Sequence, residues 1–196
     1  MCGRYQFEGI EEKIAAFCQV EPDEFKQGEV APTDTALVLT KDGARAMRWG
    51  FAEDFSKAPI FNARQEKVMQ SPLFSDSFAK RRVVVPTSGF YEWKSEADLD
   101  LLGMPMKPYK IKYLFRLPDE PVLFLAGFYK MCIVKGGEAQ PCFTILTTEP
   151  NDSMRDVHDR MPVILKESEL AAWLADDAFA AAIMPRMPPA LARTHA

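Results

Sequence analysis

The chain has 196 residues, 47% of them hydrophobic, and a net charge of −4. That suffices for a single domain with a sizeable core, and it gives no bulk positive charge to attract nucleic acid, so only a local cluster could form a binding groove. No apolar run reaches the length of a membrane span, no basic-then-apolar leader precedes the first elements, and the four cysteines and two histidines lack metal-site or disulfide-framework spacing. The expectation is a cytoplasmic protein without metal, cofactor or membrane partner, monomeric by default.

The chain opens MCGRYQF, with Cys2 directly behind the initiator methionine. If Met1 is trimmed, one residue carries a free α-amine and a thiol on adjacent carbons. Next, EGIEEKIAAFCQV spaces Ile10, Ile14, Phe17 and Cys18 as one face of a helix. TALVLTKDGARAMRWGF predicts two strands joined by a tight turn at Asp42-Gly43. NARQEKVMQ and SPLFSDSFAK predict two helices, the second capped by Ser71 with Pro72 in its first turn. A β-rich block follows: RRVVVP, GFYEWK, YKIKYLF, VLFLAGFY, CFTILTT and MPVILK, with SEADLDLLGMPMKP as a surface excursion between two of the strands. ESELAAWLA and DDAFAAAIM predict closing helices. These strands lie too close together for helical crossovers, so the fold class is α+β: a curved, largely antiparallel or mixed sheet, or a barrel-like core, with flanking helices. One domain is expected over 1–184, with a Pro-rich tail over 185–196 that docks loosely or stays disordered.

Several residues carry two readings. Glu92, between Tyr91 and Trp93, is either a solvent-facing strand residue or a carboxylate made basic by apolar neighbours and fit to pass protons near neutral pH. His158, in VHDRMPVIL, is either a hydrogen-bonded structural histidine or a proton shuttle. Asn62, in FNARQEK, reads as a helix N-cap or as an amide that holds a ligand. Arg64 would sit in a first helical turn, where a cation is unfavourable unless an anion joins it. Arg4 lies close enough to Cys2 to hold a phosphate near the thiol. Phe55, alone among charges in AEDFSKAP, either folds onto the core or stacks on a base. The cysteines other than Cys2 read as small hydrophobes.

Taken together, MCGRY, VAPT, WGF, NAR followed by Glu66, PTSGFYEW, LAGFY, FTILTTEPN and HDRMPVIL make the chain resemble the SOS response associated peptidase (SRAP) family, which shields abasic sites in DNA. The likeness runs from residue 1 to about residue 174. Lys67 stands where the family usually has Thr, the loop carrying Phe55 is short, and the excursion over 95–107 is long. The resemblance implies a self-processing, lyase-like protein whose N-terminal cysteine crosslinks to the ring-opened aldehyde of an abasic site in single-stranded DNA, forming a thiazolidine. Carried over by position, it implies Cys2, Asn62, Glu92 and His158 as the reactive set. Arg4 and Arg64 become phosphate-binding arginines. Pro32 and Trp93 join the DNA surface, with Phe55 and Arg160 as further candidates.

The chemistry is consistent with this. An α-amine is partly neutral near pH 7 and can attack an aldehyde, after which the adjacent thiol closes a five-membered ring. Ring closure removes the iminium that would promote strand cleavage by β-elimination. Two other readings stay open: a cysteine peptidase or amidase built from Cys2, His158 and Glu92, and a non-covalent single-stranded DNA-binding module.

Overall fold

A closed five-stranded barrel forms the centre of the molecule. The computed structural model describes residues 2–15, 22–99, 102–104, 106–134 and 137–196. Strands β3 (Thr35–Thr40), β4 (Gly43–Trp49), β6 (Arg82–Thr87), β9 (Leu123–Ile133) and β10 (Ala139–Thr148) run in the order β10-β4-β3-β6-β9, and β9 pairs back onto β10 to close the ring. All these pairings are antiparallel except β4 with β10. Closure brings backbones close. A Cβ at Gly127 would lie 2.6 Å from the carbonyl oxygen of Thr144, so the β9–β10 seam needs glycine there. Trp49 stacks on Phe143 inside (6.2 Å between ring centres, 7° between planes) and donates its indole N–H to the Phe61 carbonyl at 3.0 Å.

Three short strands hang from the barrel: β5 (Asn62–Arg64), parallel to β10; β11 (Met161–Pro162), also on β10; and β12 (Ile164–Leu165), on β9. Helices α2 (Gln65–Val68), α3 (Ser75–Lys80), α4 (Leu170–Ala175) and α5 (Asp177–Ile183) flank it. From α4, Trp173 is fully buried and donates to the Val83 carbonyl at 2.9 Å.

The second sheet has the order β13-β8-β7-β1-β2, from β1 (Arg4–Phe7), β2 (Gly28–Val30), β7 (Gly89–Glu96), β8 (Tyr109–Arg116) and β13 (Ala192–His195). In β1, Tyr5 and Phe7 point into the core while Arg4 and Gln6 stay half-buried, the alternation of a strand with one covered face. Tyr5 meets Trp49 at 5.1 Å, so the barrel and the second sheet share one core.

Several expectations shift. The β3–β4 turn residues are Lys41 and Asp42, since Thr40 pairs with Gly43; the Thr40 hydroxyl accepts from the Asp42 amide and donates to the Gly43 carbonyl, which fixes this register. Helix α3 begins at Ser75, and the Ser71 carbonyl takes the amides of Phe74 and Ser75 in a preceding turn. Helix α1 (Glu11–Ala15) is present with Ile14 buried, while Phe17 and Cys18 lie outside the described residues. The tail is not loose. Asn151 donates to the carbonyls of Pro188 and Pro189 at 3.0 and 2.8 Å, and β13 adds to the free edge of β8.

Candidate active site

Cys2 lies just ahead of β1 and is fully buried. The Asn62 side-chain amide donates to the Cys2 carbonyl at 2.8 Å. Asn62 is therefore no helix cap: it sits on β5, opposite Ile145 of β10, and α2 starts only at Gln65. Pairing with β10 decides its position against the local turn signal.

Glu92 is in β7 and only 3% exposed. Burial pushes its carboxyl up to about 7, against opposing contributions that include a hydrogen bond from the Trp93 amide. The Cys2 thiol is also pushed up, first by burial and then by the Glu92 carboxylate. It is therefore a neutral S–H at physiological pH, within electrostatic reach of a group that titrates there. Tyr5, missed in the sequence, is buried nearby. Its hydroxyl has no hydrogen-bond partner among the described residues and is pushed up by burial, then by Cys2 and Asp34.

His158 ends a helical turn in which its own amide bonds the Met154 carbonyl. Burial lowers its pKa below the ordinary value of 6.5. Nδ1 lies 3.1 Å from the Arg160 amide, from which it accepts when it carries no proton, and 2.8 Å from the Asp159 carboxylate, to which it donates when it carries one. The turn is tied to the strand of Glu92. Asp156 pairs with Lys94 of β7 at 3.5 Å and with Arg193 of β13 at 2.6 Å. The negative charge of Asp159 is felt at Glu92.

The outer residues divide. Arg4 is part-exposed, its Nε 3.1 Å from Glu29. Arg64 is exposed at the end of β5, two residues from Asn62, and Pro32 is half-buried just past β2. Trp93 is half-buried with the Lys112 ammonium 5.7 Å from its ring. Phe55 is 75% exposed, on the loop between the bridged residues Phe51 and Ile60. It does not fold back on the core.

Arg160 differs from the expected groove arginine. It is 6% exposed, forks onto both carboxylate oxygens of Glu66 at 2.9 Å, and donates to the Thr147 carbonyl at 2.7 Å. Burial opposes the charge on Glu66, yet these bonds hold its carboxyl below the usual range. A guanidinium so engaged ties the His158 turn to α2, the helix that follows Asn62, and is not free for a phosphate. Cys132 and Cys142 are both buried, and the hydrogen bond with Cys142 holds the Cys132 thiol below its ordinary value. They are a contacting pair, not two independent hydrophobes.

A buried neutral thiol and a neutral imidazole are a poor basis for a cysteine-peptidase ion pair, which needs thiolate and imidazolium.

The chain matches the SOS response associated peptidase (SRAP) family over residues 1–193. It is 32% identical over 190 residues to the abasic site processing protein YoaM of Bacillus subtilis, covering 89% of this chain and 79% of that one. It is 26% identical over 190 residues to YedK of Escherichia coli, also named an abasic site processing protein, covering 90% and 81%. Among solved structures, a Bordetella bronchiseptica protein superposes with a TM-score of 0.79 at 22% identity, over 100% of this chain and 99% of that one. A Bacteroides thetaiotaomicron protein gives 0.79 at 23%, over 99% and 91%. These likenesses establish the fold.

Proposed function

Since the chain belongs to the SOS response associated peptidase family, we propose that it shields abasic sites in single-stranded DNA by bonding to them through Cys2. Removal of Met1 frees the α-amine. The amine adds to the aldehyde of the open sugar, and the carbinolamine loses water to give an imine. The thiol then adds across the C=N bond: sulfur bonds to carbon, and the thiol proton ends on nitrogen. One water is released overall, and the thiazolidine holds no iminium to drive strand cleavage.

The observation that carries this reading is the grouping of Cys2, Asn62 and Glu92. Asn62 fixes the Cys2 backbone at 2.8 Å. Glu92, with its carboxyl pushed up to about 7 by burial, exists in both protonation states at physiological pH. It can therefore give a proton to the departing hydroxyl and take one back. A carboxyl at its ordinary value would be almost wholly ionised there. His158, whose pKa burial lowers below 6.5, is neutral near pH 7 and assists sugar ring opening by passing a proton. Arg64 contributes exposed positive charge near Asn62, and Arg4 a part-exposed guanidinium paired with Glu29, on a protein whose net charge is negative.

The test is incubation with a single-stranded oligonucleotide carrying one abasic site. A protein–DNA band that survives heating in denaturant, and is lost in Cys2→Ala, supports the shield. Cleavage of unrelated peptides without such a band would favour a peptidase, and salt-sensitive binding alone would favour a non-covalent module.

A further inference from the structure

Beside Cys2, the outer face of the second sheet carries an unusual ion cluster. Glu29 lies on the edge strand β2 and Lys112 on β8, and β1 and β7 run between them. Neighbouring strands are about 4.8 Å apart, so these two strands are separated by about 14 Å. Even so, the Lys112 ammonium reaches Glu29 Oε2 at 2.6 Å, lying 3.9 Å from the ring centre of Tyr91 and 5.7 Å from that of Trp93. The other oxygen, Oε1, takes Arg4 Nε at 3.1 Å. One carboxylate thus receives one cation on each oxygen, above two aromatic rings, and one of those cations is two residues from Cys2.

A phosphodiester also presents two charged, non-bridging oxygens in a fork. We infer that Glu29 occupies the seat of a backbone phosphate next to the damaged nucleotide, and that the DNA strand displaces it on binding. This rests on the reading of the site as a single-stranded DNA shield and adds a specificity device to it. Arg4 and Lys112 are the two cations of the seat, and Tyr91 and Trp93 form its floor. Exposed ion pairs contribute little stability. All three charged side chains are part-exposed, at 40%, 41% and 27% for Arg4, Glu29 and Lys112, so the exchange is easily made. While Glu29 is in place, undamaged strands meet a seat that is already occupied, with one of its two positive charges offset. They are held weakly, and retention depends on the covalent step at Cys2.

The experiment measures the affinity of the full chain for an undamaged oligothymidine by fluorescence anisotropy at several salt concentrations, alongside crosslinking to the abasic strand. Glu29→Gln should tighten binding up to about fivefold, the upper value of one exposed ion pair, and steepen the salt dependence. Glu8→Gln makes the same charge change near the end of β1 and should alter affinity less than about twofold. In an Arg4→Ala/Lys112→Ala background, the gain from Glu29→Gln should vanish. An equal gain in that background, or a Glu29→Gln effect no larger than that of Glu8→Gln, would overturn the inference and leave the shield intact. A wild-type protein that neither binds nor crosslinks single-stranded DNA would overturn the shield itself, and this seat with it.

Discussion

The Asn62 amide holds the Cys2 carbonyl at 2.8 Å across 60 positions of sequence. Its own Oδ1 is buried with no hydrogen-bond partner among the described residues. A free α-amine on Cys2 is the donor chemically suited to that oxygen. Asn62→Ala removes both the hold and the acceptor. We expect a loss of about 1 kcal/mol of stability, the usual net worth of one hydrogen bond, but a larger fall, about tenfold or more, in the single-turnover crosslinking rate. Equal losses in thermal melts and in rate would reduce Asn62 to a structural role.

Glu92 sets a pH dependence of known sign. Its carboxyl is raised from 4.5 to about 7 by burial, so the folded protein binds that proton more tightly than the unfolded chain. The stability it contributes is fully present below about pH 4.5 and is lost as pH rises through about 7, about 3 kcal/mol in all. Glu92→Gln should remove this slope and slow crosslinking near neutral pH. Melts of the two proteins from about pH 5 to about pH 8 check it; parallel curves would mean that the carboxyl titrates at its ordinary value.

His158 acts in the opposite direction. Burial lowers its pKa below 6.5, so the unfolded chain binds this proton more tightly, and stability is lost as pH falls from about 6.5 through the folded value. A proton-detected titration should place its midpoint below 6.5. Asp159→Asn should move it lower still, because the Asp159 carboxylate favours the charged ring. An upward move would contradict the geometry at Nδ1.

The Arg160–Glu66 fork should behave as structure. Glu66→Ala leaves the buried Arg160 guanidinium without its part-exposed carboxylate and should cost about 1–3 kcal/mol, read as a lower melting temperature. Arg4→Ala, at a part-exposed site, should leave the melt almost unchanged and weaken DNA binding by about 1–3 kcal/mol. If the two variants exchanged these effects, Arg160 would be the phosphate contact after all.

Barrel strands such as β6 and β9 were legible as runs of β-branched and aromatic residues, and β3 with β4 through the tight turn between them. β1, β2, β5 and β13 were not, since three or four residues become a strand only through a partner. Asn62 shows the cost: its local signal is a helix cap, and a parallel strand 83 residues away overrides it. Alternation alone left both readings of Glu92 open, because which face of the sheet is covered depends on how the barrel packs against it. The resemblance, not the pattern, singled Glu92 out. Arg160 read as a candidate for the DNA surface, because its partner Glu66 is 94 residues distant. Glu29 and Lys112 were invisible for the same reason: nothing in the one-dimensional pattern sets the strand order that lets them meet.

The central claim is that the amine and thiol of Cys2 act as one unit, and intact mass of the protein before and after reaction with an abasic strand tests it most directly. The account predicts a chain that begins at Cys2 and gains the mass of the oligonucleotide less one water, in an adduct that survives heating. A chain that keeps Met1 has its Cys2 nitrogen tied up as an amide, and its thiol alone could form only a reversible hemithioacetal. Quantitative retention of Met1 together with a heat-stable adduct would contradict the account.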